Sequence, residues 1–220
     1  MIHVYAIARR LDELPAMQGL GGAPVERRRI DGFEVVVSRT EKTIEPSKEG
    51  AVRHGRVIEA LLPRSDAILP ARFGHAFSDE GSLATAVLQN RAELERGLAR
   101  VQGCVEFGVR ILLPETNAID GRAVRSGREY MERRLEQASN RRALADEVRK
   151  PLAALARAST RLGHSPREPL LTAAYLVPEQ SVEAFRSEVQ RLQELHADLS
   201  IVCTGPWPPY SFAADAEMDG

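Results

Sequence analysis

Eight residues late in the chain, Gly205-Pro206-Trp207-Pro208-Pro209-Tyr210-Ser211-Phe212, restrict its folding more than any other stretch. They hold three of its 13 prolines, its only tryptophan and two further aromatics. They come directly after Leu199-Ser200-Ile201-Val202-Cys203-Thr204, an apolar run that reads as a strand. Proline fixes its own φ and gives no donor to a ladder, so a strand entering this segment is expected to stop there. The segment itself is stiff, extended and aromatic, and has to dock on something. Large aromatics contribute stability mainly by burial, which predicts that Trp207 and Tyr210 pack back onto the protein's own body. Residues 213–220 are small and acidic and read as a frayed end.

A chain of 220 residues suits one large or two small domains and can bury a real core. Apolar residues make up 43% and charged residues 28%, the balance of a globular protein. The net charge of −1 gives no global pull towards nucleic acid or an anionic membrane. No apolar run approaches the roughly 18 residues of a membrane helix. The opening Met1-Ile2-His3-Val4-Tyr5-Ala6-Ile7 has no basic region before its apolar run, so it does not read as a signal peptide. Cys104 and Cys203 each sit in an apolar, strand-like run and are expected as buried free thiols in a reducing cytosol. Arginine outnumbers lysine 27 to 3, which overall composition bias explains without a functional cause.

Residues 2–7 read as a strand, and a Pro/Gly-rich stretch comes next. Residues 33–38 are β-branched and form a second strand, with residues 25–30 as a candidate hairpin arm. Pro46-Ser47 reads as a helix entry, and Val52, Val57, Ile58, Leu61 and Leu62 supply an apolar face up to Pro63. Residues 68–74 form a short extended segment. Ser78 or Asp79 caps the next helix, whose stripe is Leu83, Val87, Leu94, Leu98 and Val101. Gly103 ends it, and residues 104–113 read as a strand. This order predicts a ferredoxin-like α+β domain over residues 1–114, an antiparallel sheet with helices on one face.

A polar linker over residues 115–126 places a domain boundary there. Residues 115–204 read as a smaller α+β domain with a long helical region over about 128–162. Pro151 is expected to break or kink that region into a bent helix or a short antiparallel coiled coil. A strand over 170–177, a helix after Pro178 and a strand over 199–204 complete the domain, and residues 205–220 form the Pro/aromatic tail.

Catalytic signatures are missing from the sequence. The five histidines are scattered and none forms a paired metal-binding spacing. There is no Gly-x-Ser-x-Gly elbow and no phosphate-binding Gly-Lys-Ser/Thr. Gly19-Leu20-Gly21-Gly22 lacks a following lysine and reads as a structural turn. Arg72, in Arg72-Phe73-Gly74-His75, could bind an anion, but Glu106 sits in an apolar strand and needs a partner, so an Arg72–Glu106 pair is expected instead. Residues 122–161 carry 11 Arg/Lys against 5 Asp/Glu. With Tyr130 as the stretch's only aromatic, stacking platforms for nucleic acid are missing, and the stretch reads as a solvated or protein-docking face. No enzyme activity, metal or cofactor is expected. The alternative is a nucleic-acid-binding ferredoxin-like module, with Tyr5, Phe33 and Phe107 exposed on its strands.

Four stretches resemble the gas vesicle protein F/L family (GvpF/GvpL). They are Val4-Tyr5-Ala6-Ile7, Ile68-Leu69-Pro70-Ala71-Arg72-Phe73-Gly74, Gly103-Cys104-Val105-Glu106-Phe107-Gly108-Val109, and Tyr175-Leu176-Val177 with Thr204-Gly205-Pro206-Trp207-Pro208-Pro209-Tyr210-Ser211-Phe212. The resemblance implies a non-enzymatic minor component or assembly factor of gas vesicles. It also implies a ferredoxin-like N-terminal domain and a C-terminal α+β domain with a coiled-coil portion. The implied partners are the shell protein GvpA and other accessory gas vesicle proteins, with no nucleic acid and no membrane. The implied location is the gas vesicle and the cytoplasm. Arg72, Phe73, Glu106, Trp207 and Tyr210 are the structural or interaction candidates.

Overall fold

A computed structural model describes residues 1–41, 45–112, 127–162 and 170–213, and at Glu129 the backbone alone. The expected linker over 115–126 and the end beyond Ala213 lie outside the described residues. The chain is α+β, with two sheets and five α-helices among the described residues. By contact it divides into two compact units. The first is Met1–Glu106 with Pro206–Gly220, and the second is Phe107–Gly205. The expected boundary at 114 therefore gives way to one inside a strand, and the segment expected as a separate tail belongs to the first unit.

The first unit is built on β1 (Ile2–Ala8), which pairs antiparallel with β3 (Phe33–Arg39), β4 (Ile68–Pro70) and β5 (Ala76–Phe77). β2 (Glu26–Ile30) pairs with β3 to give the order β2-β3-β1-β4. Asp31 and Gly32 join β2 to β3 with φ of 49° and 85°. Positive φ at both central residues is the turn that suits hairpin twist, and Asp-Gly supplies it. β2 is an edge strand carrying Arg27, Arg28 and Arg29, whose charge discourages pairing with another chain.

All seven residues of β1 are buried. Successive strand side chains point to opposite faces, so both faces of the sheet are covered there, not the one expected. α1 (Lys48–Leu61) packs on β1, α2 (Glu80–Gln89) on β2 and β5, and α3 (Arg91–Val101) on β4. Tyr5, Val36, Val57, Ile58, Leu61 and Ile68 belong to one buried cluster. The stripe expected as a single helix is split at Asn90. Its backbone N–H and its side-chain amide both donate to the Ala86 carbonyl, at 3.1 and 2.9 Å. A short polar side chain that competes for backbone acceptors in this way ends a helix.

β6 (Cys104–Leu112) runs through the dividing line and joins the second sheet, of order β7-β8-β6-β9. The other strands are β7 (Ala158–Arg161), β8 (Leu171–Pro178) and β9 (Ser200–Trp207). With α4 (Gly127–Ala154) and α5 (Val182–Leu195), the chain order becomes β6-α4-β7-β8-α5-β9. That is the β-α-β-β-α-β order of a ferredoxin-like unit. Position directly after α3 had pointed β6 to the first sheet, whereas its ladder partners lie downstream. Phe107, Tyr175 and Phe185 stack at 5.1 and 5.4 Å between ring centroids in this unit's core.

Two prolines stay within regular elements. Pro151 stays inside α4, which is one helix of 28 residues and not a helical pair. It sits in the final turns, where little helix remains downstream to be redirected. Pro206 does not stop β9, which continues to Trp207. β9 is an edge strand, where a missing donor is tolerated. Cys104 is buried and Cys203 half-buried, both as free thiols.

Candidate functional site

Glu106 needs a partner because β6 buries it. Ser211 supplies it, donating from its backbone N–H to Oε2 at 2.8 Å and from Oγ to Oε1 at 2.7 Å. The expected Arg72–Glu106 pair is therefore replaced by a serine clasp. Burial raises the Glu106 pKa above its usual range, and the two bonds from Ser211 oppose that shift. Arg72 lies exposed just beyond β4, where its carbonyl accepts the His75 N–H at 3.2 Å across a turn. Gly74 stands in that turn at a φ of 93°, which side-chain-bearing residues rarely adopt.

The clasp holds the segment from Pro206 onward to the first unit. Pro208, Pro209, Phe212 and Ala213 are buried along it, and the short turn Tyr210–Phe212 packs near α3. The segment thus docks on the protein's own body, but not through the residues expected. Phe212 is 7% exposed, whereas Trp207 and Tyr210 are 42% and 40% exposed. The Tyr210 hydroxyl has its pKa pushed up to about 12, first by burial around the hydroxyl and then by the Glu59 and Glu106 carboxylates. It remains a neutral phenol at physiological pH.

Phe73 stands at a second buried polar cluster of the same unit. His54 Nε2 lies 2.9 Å from the Ala71 carbonyl, so that nitrogen carries the proton and donates. His54 Nδ1 must then accept, and His3 Nε2–H donates to it at 3.0 Å. The Phe73 ring lies 6.1 Å from the His3 ring and 5.7 Å from the His54 ring, and it presses on Gly50 of α1. Beside them Tyr5 donates to Ser38 Oγ at 3.0 Å and accepts the Leu20 N–H at 2.7 Å. Burial, then His54 and His75, lower the His3 pKa to about 3, and burial lowers that of His54. Both rings are neutral, and the network ties β1, α1 and the β4 turn together.

Sequence reasoning missed Ser211, Phe212 and the His3–His54 pair. The misfit of Glu106 in an apolar strand pointed to a partner without naming it. His3 and His54, 51 positions apart, carry no spacing signal. Among the described residues no three His, Cys, Asp or Glu side chains group to hold a metal, and no helix is long and apolar enough to cross a membrane. Tyr5, Phe33 and Phe107 are all buried, so the strand aromatics considered for nucleic acid are core residues.

The family model described as "Gas vesicle synthesis protein GvpL/GvpF" matches residues 1–214. The chain belongs to the GvpL/GvpF family. It is 30% identical to gas vesicle protein F2 of Halobacterium salinarum over 184 residues, covering 82% of this chain and 76% of that protein. It is 28% identical to gas vesicle protein L of Streptomyces sp. (strain CB03234), covering 99% and 94%. The crystal structure of GvpF from Anabaena sp. PCC7120 superposes with a TM-score of 0.82 at 22% identity, covering 96% and 95% of the two chains. That of GvpF from Microcystis aeruginosa gives 0.81 at 20% identity, covering 96% and 98%. The fold is thus shared with GvpF, and family membership gives the chain a gas vesicle role.

Proposed function

We propose that this protein is a non-enzymatic assembly factor or minor component of gas vesicles that binds the shell protein GvpA, acting in the cytoplasm and at the vesicle. The observation that carries the docking reading is the exposure of Trp207 and Tyr210 on a segment pinned from beneath by Glu106, Ser211 and Phe212. A large aromatic held rigidly at a surface loses little conformational entropy on binding, and such residues anchor protein interfaces. A shell-forming subunit presents apolar surface before assembly and is exposed to aggregation until it is covered. A pinned aromatic pair offers it a transient, specific contact.

Pull-down of GvpA by the purified protein tests this directly. Wild-type protein retains GvpA, and Trp207→Ala with Tyr210→Ala loses it while still folding cooperatively at the assay temperature. Retention of GvpA by the double variant removes the tail from the docking surface, and failure of the wild type to retain GvpA removes the partner.

A further inference from the structure

The N-terminal half of α4 is exposed among the described residues. Every described side chain from Gly127 to Ala143 is exposed except the half-buried Arg133. Within this half, Met131, Leu135 and Ala138 follow a 3-4 spacing that continues through Arg142, Ala145, Arg149 and Leu152. Ala145 and Leu152 are buried in the second unit, but Met131 and Leu135 are 58% and 67% exposed. At roughly 100° per residue, Met131 lies only about 40° round the helix from Ala145. One face of α4 therefore serves as core at its C-terminal end and runs on uncovered at its N-terminal end. A sustained 3-4 repeat is the pattern of a helix that takes a second helix along its seam.

Charge selects the occupant. Arg134 and Arg141, one heptad apart, flank the same edge of the exposed stripe, and Arg142 lies within it. Arg134 stacks on Tyr130 at 5.6 Å, and Arg128 on the far edge is paired with Glu132 at 2.9 Å. Arg141 and Arg142 are exposed and make no ion pair among the described residues. A second copy packed antiparallel would bring the Arg134/Arg141 edges together, like charge against like. We propose that the exposed half of α4 docks an amphipathic helix of another protein, one bearing carboxylates a heptad apart beside its apolar seam. Met131, Leu135 and Ala138 fill the seam, and Arg134 and Arg141 read the acidic edge.

The test is fluorescence anisotropy of the full-length protein with a dye-labelled peptide of three heptads. The peptide carries Leu at its seam positions and Glu at the flanking ones, which keeps it from pairing with itself, and a control carries Lys instead of Glu. The acidic peptide binds at least roughly tenfold more tightly than the basic one, since opposite charge at such edges sets partner choice. Met131→Glu with Leu135→Glu, both on exposed sites, abolishes binding without lowering the melting temperature. Arg134→Glu with Arg141→Glu reverses the preference to the basic peptide. No binding, equal binding of both peptides, or binding indifferent to the seam variant overturns the proposal. So does a protein dimer in light scattering that the seam variant dissociates, because the occupant is then a second copy.

Discussion

Ser211 closes on Glu106 with two hydrogen bonds across 105 positions of chain, one from its amide and one from its hydroxyl. Both residues belong to the first unit, which consists of two segments far apart in sequence. The clasp joins the end of one segment to the other. A buried carboxylate with both oxygens satisfied stabilises this join, and the same carboxylate left unpaired would oppose it.

Ser211→Ala removes the hydroxyl donor and keeps the amide. Losing one hydrogen bond to a buried charged group costs about 1.5–3 kcal/mol, read as a lower midpoint in urea with an unchanged slope.

The same carboxylate sets a pH dependence. Burial raises the Glu106 pKa above its ordinary value of 4.5, so the folded state holds the proton longer than the unfolded chain does. Its contribution is then greatest below about pH 4.5 and declines as pH rises through the folded pKa. Glu106→Gln flattens that decline, and thermal melts across this range check it.

The two histidines act in the opposite sense. His3 falls from 6.5 to about 3 in the folded protein, so the unfolded chain binds the extra proton. Stability is present above about pH 6.5 and is lost progressively as pH falls towards 3. In NMR titrations the His3 ring stays neutral at pH 5, with its proton on Nε2. A His3 midpoint near 6.5 contradicts the network.

Phe212→Ala destabilises by about 3–5 kcal/mol, the usual cost of emptying a buried phenylalanine site. Trp207→Ala, at an exposed site, costs less than about 1 kcal/mol. Calorimetric melts of the two variants compare them directly, and equal losses would restore Trp207 as a core residue.

Gly50→Ala on α1 brings a Cβ within 2.7 Å of Phe73 Cζ. The better helix propensity of alanine offsets part of the clash, but overpacking of this kind costs about 1–3 kcal/mol. Phe73→Leu in the same background recovers part of the loss in urea melts.

Features set within a few residues were legible in the sequence. Ser47 caps α1 by accepting the Gly50 N–H at 3.0 Å, and Asp79 caps α2 by accepting the Ser82 N–H at 2.8 Å. The α+β class, the hairpin arm before residue 33 and the face of α1 through Val57, Ile58 and Leu61 come from the same local rules. The family signature lay in the residues as well. The stretch Arg72-Phe73-Gly74 was visible, but not that Phe73 packs beside two histidines drawn from β1 and α1. The aromatic segment was visible too, but a preference for burial does not say which of three aromatics finds the pocket.

Composition, local capping and apolar periodicity by themselves determined the kinds of most elements, though not strand β7 inside the stretch read as helix nor the break between α2 and α3, and the residue motifs determined the membership in this family. Those signals act over a turn of helix or a pair of adjacent strands. The sheet that β6 joins, the serine that answers Glu106 and the exposure of Trp207 and Tyr210 depend on contacts between segments up to 105 positions apart. Such contacts cost loop-closure entropy and form only when the whole core makes them favourable, so no local pattern announces them.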